Sequence, residues 1–332
     1  MGEQLSIKKE LKKFDWLTNT TTGKNMSKKK SFDLKVDLGK LKLKNPVMTA
    51  SGTFGYGKEY SEFVDLNRLG AIVVKGISLK PMKGNPVPRI CETPCGMLNA
   101  IGLQNPGLKD FIRKQLPYLK KLRTRIIVNI LGNSIDEYIE LAENLEAQGI
   151  DAVELNVSCP NVKKGGIVFG TDPKIFRELI ESVRQRTSLP LITKLSPNVS
   201  DIKLFAKIAE DAGSDVISLI NTITGMSIDI KTGRPRLANI TGGLSGPAIK
   251  PVAVRMVWEC YKTVRIPIIG MGGIISAEDA VEFLLAGASA VAVGTGNFIN
   301  PKATMDILEG IKTYMSAKDI RSLGELTGAV QC

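Results

Sequence analysis

The chain has 332 residues, 43% hydrophobic and 23% charged, with five cysteines, no histidine and a net charge of +12. Length and balance are those of a soluble globular protein with one large domain or two small ones, and no run of about 18 apolar residues offers a membrane span. Without histidine there is no Ser-His-Asp triad, no imidazole base and no histidine metal site, so acid–base work falls to Cys, Lys, Tyr, Ser or carboxylates.

The basic surplus is uneven. Residues 1–44 hold twelve lysines against five acids (Glu3, Glu10, Asp15, Asp33, Asp37), so +7 of the +12 lies there. Such an arm can attract nucleic acid or anionic lipid. The expectation is a flexible basic extension over 1–31, with no nucleic-acid partner and no integral membrane association. Cys91, Cys95, Cys159, Cys260 and Cys332 are odd in number and irregularly spaced, which fits a reducing cytoplasm better than a disulfide framework. Cys91 and Cys95 are close but lack further ligands, so no metal is expected.

From Asn45 onward, short apolar runs alternate with longer amphipathic ones. The strand-like runs are PVMTAS (46–51), AIVVKG (71–76), RIIVNILG (125–132), AVELNVS (152–158), PLITKLSP (190–197), DVISLINT (215–222), PIIGMGG (267–273) and AVAVGTG (290–296). Near-continuous apolar runs are the mark of parallel strands buried on both faces.

Helical patterns lie between them. Ser134 precedes an apolar stripe of Ile135, Tyr138, Ile139, Ala142 and Leu145, and Gly149 stops it. Asp172-Pro173 opens the next, with proline where its missing N–H costs nothing. Ser200 is read as starting a helix through Leu204, Ile208 and Ala212. Ser276 with Glu278 and Asp279 begins another, its acidic first turn suiting the helix dipole. Eight strand–helix units over about 250 residues predict an α/β fold, a (β/α)8 TIM barrel with inserted loops at its C-terminal mouth. A doubly wound sheet is the alternative, but no glycine fingerprint follows the first strand.

In a barrel the strand ends converge on one mouth. In order they supply Ser51, Lys75-Gly76, Asn129, Asn156 with Cys159, Lys194, Asn221-Thr222, Gly272-Gly273 and Gly294-Thr295. Singly, each serves equally well as a structural hydrogen-bonding group. Together, two lysines, three asparagines and a thiol at buried strand ends are costly unless a polar ligand meets them. The glycines after the last two strands, and a helix opening at Gly246-Pro247, form a phosphate cradle. A monophosphate with a planar polar head fits, and flavin mononucleotide (FMN) is the candidate.

The segment ELNVSCPN (154–161) ends a strand and holds Cys159 beside glycine-rich stretches, Lys163 to Gly166 and Phe169 to Thr171, suited to cover a ligand. An isolated Cys is usually a small buried hydrophobe. Placed at a strand end under a loop, it suits proton transfer or nucleophilic chemistry instead.

ASGTFGYGKEY (50–60), NPVPRICETPCGMLNAIGLQNPG (85–107), ELNVSCPN, TKLSPN (193–198), LINT (219–222), TGGLSGPAIKP (241–251) and GMGGI (270–274) resemble the dihydroorotate dehydrogenases over roughly 32–312, most closely class 1B, the FMN-bearing catalytic subunit of the NAD-linked enzyme. The resemblance implies oxidation of (S)-dihydroorotate to orotate in pyrimidine synthesis. Cys159 would be the base for the C5 proton, with hydride passing from C6 to FMN. It further implies substrate contacts at Lys75, Asn99, Ala100, Ile101, Gly102, Leu103, Asn156, Asn221 and Thr222. FMN contacts would fall on Ser51, Lys75, Gly76, Asn129, Asn156, Lys194, Ile220, Gly246, Gly272, Gly273, Gly294 and Thr295. A partner subunit with FAD and a [2Fe–2S] cluster is implied, passing electrons to NAD+ in a heterotetramer built on a homodimer. This chain has no cluster-type cysteine spacing and no dinucleotide fingerprint of its own.

Two features depart from the family pattern. Cys95 stands near the substrate loop where a small residue is expected. The stretch before Met26 has no counterpart, so Met26 is read as an alternative true start; LSIKKELKKFDWL as a basic amphipathic segment is the other reading. The expected organisation is an extension at 1–31, an FMN-binding barrel at 32–316 and a tail at 317–332, in the cytoplasm. A tRNA-dihydrouridine synthase is also an FMN barrel but carries a helical RNA-binding domain after it, and little sequence remains beyond Met315. A dihydropyrimidine dehydrogenase type is the other rival, and a lysine at the substrate position favours a carboxylated ring over uracil.

Overall fold

Every one of the eight apolar runs forms a strand, and together they close a cylinder. The computed structural model describes residues 32–157 and 169–331. The barrel strands are β1 (Val47–Thr49), β2 (Ala71–Ile77), β3 (Arg125–Ile130), β4 (Ala152–Asn156), β5 (Leu191–Lys194), β6 (Val216–Leu219), β7 (Ile268–Met271) and β8 (Ala290–Val293). All neighbours are parallel, and β8 returns to β1 through the pair Val291 and Val47. That closure excludes the open doubly wound sheet and leaves no free barrel edge.

The β1–β2 junction is the weakest seam, with Met48 opposite Ala71 as its single register pair. Thr49 bridges it with its hydroxyl, which accepts from Val73 N–H at 3.0 Å and lies 3.3 Å from Val73 O. One buried side chain thus replaces ladder bonds that the short strand cannot make.

Helix starts follow the capping chemistry read from the sequence. Ser134 accepts from Glu137 N–H ahead of Ile135–Glu146, and Asp172 accepts from Lys174 and Ile175 N–H ahead of Pro173–Arg184. Ser276 and Asp279 form a reciprocal capping box before Ala277–Ala286. The third expected start is displaced. Asp201, not Ser200, caps Ile202–Asp211, and the buried face is Ile202, Phe205, Ala206, Ile208 and Ala209. Counting from residue 202 in steps of three and four puts Leu204 on the outer face, 47% exposed. Each fully buried aromatic such as Phe176 or Phe283 contributes about 1.5–3 kcal/mol through burial.

Three elements were not foreseen. Val36–Leu38 and Leu41–Leu43 pair as a hairpin, as do Ile228–Asp229 and Arg234–Pro235. A four-stranded antiparallel sheet joins Ile223–Met226, Thr241–Ser245, Gly96–Asn99 and Ile90–Thr93 in that order. Its strands come from the loops after β2 and β6. The segment expected as a tail is described to Gln331. Leu323 and Leu326 are buried there, and Asp33 N–H donates to Arg321 O at 2.9 Å.

Candidate active site

A cleft of about 880 Å³ opens where the barrel strands end. On β2, a bulge between Val74 and Ile77 breaks register with β3, so that Lys75 and Gly76 leave the ladder at the cleft. Gly76 has a local reason to be glycine: a Cβ there would lie 2.7 Å from Asn129 Oδ1 and 2.7 Å from Leu131 Cδ2. Lys75 is half-buried. Burial first, then the charge of Arg89, hold its pKa below the ordinary lysine range, while Glu59 pulls the other way.

β3, β4 and β5 carry Asn129, Asn156 and Lys194 to the same cleft. Asn129 and Lys194 are buried, and the Lys194 ammonium donates to Ser51 Oγ at 3.1 Å across the mouth. Asn156 is held from behind, its carbonyl accepting from the buried Tyr138 hydroxyl at 2.7 Å. β6 delivers Ile220, Asn221 and Thr222. Asn198 braces that corner, donating to Thr222 O and accepting from Thr224 N–H, both at 3.0 Å.

The opposite wall is glycine and small hydroxyls. Gly272, Gly273, Gly294 and Thr295 line it, with Gly246 at the start of the helical turn Pro247–Ile249 that leads into Lys250–Tyr261. Gly246, Gly272 and Gly273 all have left-handed φ (97°, 128°, 81°), which a side chain would strain. Thr295 Oγ1 pairs with Ser245 Oγ at 2.8 Å, tying the β8 loop to the covering sheet. That sheet roofs the cleft with Asn99, and the following Ala100, Ile101, Gly102 and Leu103 also line it. Asn99 Nδ2 donates to Gly243 O at 3.2 Å. Cys95 is exposed in the same hairpin, and its carbonyl accepts from Ala248 N–H at 2.9 Å, joining the hairpin to the Gly246 turn.

The structure brings every substrate-contact and FMN-contact residue expected from the sequence to one cleft. Cys159 and Lys163 to Gly166 lie outside the described residues; Gly170 and Thr171 line the cleft beside Val157. Of the residues not singled out from the sequence, two bear most on the chemistry. Arg89 lines the cleft and donates to Gln104 Oε1 at 2.6 Å; its signal was a cation inside the quoted NPVPRICETP stretch. Glu154 is 1% exposed under the mouth, accepting from Asn129 Nδ2 at 2.6 Å and Ser218 Oγ at 2.8 Å. Among the described residues no helix is long and apolar enough to cross a membrane, and no cluster of His, Cys, Asp or Glu suits a metal.

A cleft with three cations (Lys75, Arg89 and Lys194), several amides and a glycine wall at the end of a parallel barrel can hold a phosphate at one side and a flat, anionic ring at the other. Comparison with known proteins narrows the choice. The pattern of the family described as dihydroorotate dehydrogenase matches residues 33–315. The proteins named "Dihydroorotate dehydrogenase B (NAD(+)), catalytic subunit" from Geotalea daltonii and Alkaliphilus metalliredigens are 58% and 57% identical over 300 and 298 residues, each alignment spanning 90% of this chain and 98% or 99% of theirs. The protein of that name from Thermoanaerobacter pseudethanolicus is 55% identical over 299 residues, with 90% and 99% covered. With its barrel, its mouth and this match over most of its length, the chain belongs to the dihydroorotate dehydrogenase family.

Proposed function

We propose that this chain is the catalytic subunit of an NAD-linked dihydroorotate dehydrogenase, oxidising (S)-dihydroorotate to orotate in pyrimidine biosynthesis. The observation that carries the reading is convergence: Lys75, Asn99, Asn156, Asn221 and Thr222 line the same cleft as the glycine wall of Gly246, Gly272, Gly273 and Gly294. A carboxylated ring needs one cation for its charge and amides for its N–H and C=O edges.

The glycine wall fits the phosphate of FMN. A Cβ at Gly273 would stand 2.9 Å from Gly246 O and 2.8 Å from Lys250 Cβ, so only bare backbone leaves that space open. In this reading Gly246, Gly272, Gly273, Gly294 and Thr295 hold the phosphate. Ser51, Lys75, Gly76, Asn129, Asn156, Lys194 and Ile220 hold the ring. When bound, FMN supplies the acceptor for the hydride leaving C6 of dihydroorotate. Lys75 binds the substrate carboxylate, Asn99 to Leu103 cover the ring, and Asn156, Asn221 and Thr222 orient it. Cys159, three residues beyond Asn156, takes the C5 proton as thiolate, and the covering loops exclude water.

The relatives' names contain both NAD(+) and "catalytic subunit", which supports a partner subunit, and the motif resemblance supplies the further proposals. A partner subunit with FAD and a [2Fe–2S] cluster takes the electrons to NAD+, on a homodimer of this chain, in the cytoplasm. Residues 32–316 form the FMN-binding barrel, with 1–31 an extension.

The test is anaerobic mixing of the purified yellow protein with dihydroorotate, dihydrouracil, or tRNA. Bleaching of the flavin by dihydroorotate alone is expected. A flavin that stays oxidised with dihydroorotate overturns the reading.

A further inference from the structure

Glu154 belongs to no role assigned above, yet it is a carboxylate held at 1% exposure inside a barrel. Both its oxygens meet donors, Asn129 Nδ2 at 2.6 Å and Ser218 Oγ at 2.8 Å. From Asn129 the contacts continue along the mouth. Asn156 Nδ2 donates to Asn129 Oδ1, and Asn221 Nδ2 donates to Asn156 Oδ1, each at 3.4 Å. Thr222 N–H then donates to Asn221 Oδ1 at 2.9 Å.

A side-chain amide has one donating end and one accepting end, and the two have nearly the same shape. In a head-to-tail chain, each amide's direction is set by its neighbour, so the ends decide. One end is a backbone donor, Thr222 N–H. The other is a carboxylate, which serves both its partners as an acceptor. The two ends demand the same polarity. Reversal of Asn129 would place its oxygen against a carboxylate oxygen in a buried site, a contact that is repulsive and leaves a donor unpaired.

We infer that Glu154 is a positioning residue whose carboxylate fixes the direction of the Asn129–Asn156–Asn221 amide chain, so that the cleft offers a bound ring one pattern of donors and acceptors. The inference rests on reading the cleft as the dihydroorotate site. Each amide keeps a second hydrogen and a second lone pair for a ligand. Glu154 touches none of the reacting atoms in this account; it acts through Asn129.

The test compares three variants of the FMN-loaded protein by orotate affinity, read from the flavin absorbance change, alongside thermal stability. Glu154→Met removes the acceptor, and orotate affinity is expected to fall about tenfold, the worth of one mispaired buried contact. Glu154→Gln keeps an oxygen for Asn129 and is expected to restore affinity to within about threefold of wild type. Ser218→Ala removes the other bond and is expected to leave affinity within about twofold, even where it lowers the melting temperature. Unchanged affinity in Glu154→Met, or equal losses in Ser218→Ala and Glu154→Met, overturns the inference. Wild-type protein that binds no orotate sinks the functional reading instead. Should Glu154→Met not fold, neutron diffraction of the deuterium-exchanged wild type decides. Deuterons on Asn129 facing Glu154, and on Asn156 facing Asn129, support the inference; a deuteron on Glu154 pointing at an Asn129 oxygen refutes it.

Discussion

The Lys250 ammonium stands 2.7 Å from the Asp279 carboxylate, and the same carboxylate accepts from the backbone N–H groups of Ile275 and Ser276 at 2.9 Å. Lys250 opens the helix that follows the Gly246 turn, and Asp279 caps the helix that follows Gly272 and Gly273. One pair therefore fastens two stretches of the glycine wall to each other.

Asp279→Asn is expected to cost about 1–2 kcal/mol of stability, the scale of a lost cap with a charged partner. Burial works against the Asp279 charge, but the Lys250 hydrogen bond, the Ile275 and Ser276 N–H groups and the Lys250 charge outweigh it, leaving the carboxyl below its ordinary range. With the folded pKa depressed, the contribution is complete above the unfolded aspartate value. It is lost as pH falls from about 4 toward the folded pKa. Urea unfolding of wild type and Asp279→Asn should therefore differ at neutral pH and converge in acid.

Lys75 gives a pH dependence of opposite sign. Burial and the Arg89 charge make its ammonium easier to deprotonate, so orotate affinity should fall with rising pH before the ordinary lysine range is reached. Removing the Arg89 charge by Arg89→Gln shifts the onset of that fall to higher pH. Orotate titrations at several pH values check both; an onset that moves downward contradicts the electrostatic account.

Cys159→Ser replaces a thiol of ordinary pKa about 8.5 with an alcohol that does not ionise near neutrality. Stopped-flow reduction of the flavin by dihydroorotate should slow by about 10²-fold or more, with FMN content unchanged. In wild type the rate should rise with pH as thiolate forms. An undiminished rate in the variant removes Cys159 from the reaction.

Gly273→Ala should yield protein that folds but loses FMN. Its φ of 81° is strained for alanine, and the added methyl would press on Gly246 O at 2.9 Å and Lys250 N at 3.0 Å. The ratio of flavin absorbance to protein after gel filtration measures the loss.

The barrel was legible because strands buried on both faces write themselves as unbroken apolar runs; β2 and β8 contain little else. The strand ends were legible for the complementary reason, since a lysine or asparagine closing such a run has few cheap explanations. The covering sheet was hidden. Its strands Thr241–Ser245 and Gly96–Asn99 are short and half-exposed, and the seam between them joins segments far apart in the chain, Asn99 bonding Gly243 across 144 positions. No local alternation reports such pairing. Ser200 and Asp201 are both good capping residue types, and sequence alone does not say which carbonyl starts the ladder. Glu154 stood in plain view between Val153 and Leu155, but an acid inside a strand reads as outward-facing until its two partners are seen.

The roof over the mouth is stitched from two loops, one after β2 and one after β6, each giving one antiparallel strand pair, joined along the single seam between Gly96–Asn99 and Thr241–Ser245. In the proposed reading, ring preference is therefore expected to be a joint property of both loops. Grafting the 90–99 hairpin from a relative of different selectivity, while keeping the native 223–245 stretch, mismatches the Gly243 to Asn99 seam. Altered selectivity requires the two segments to be exchanged as a matched set.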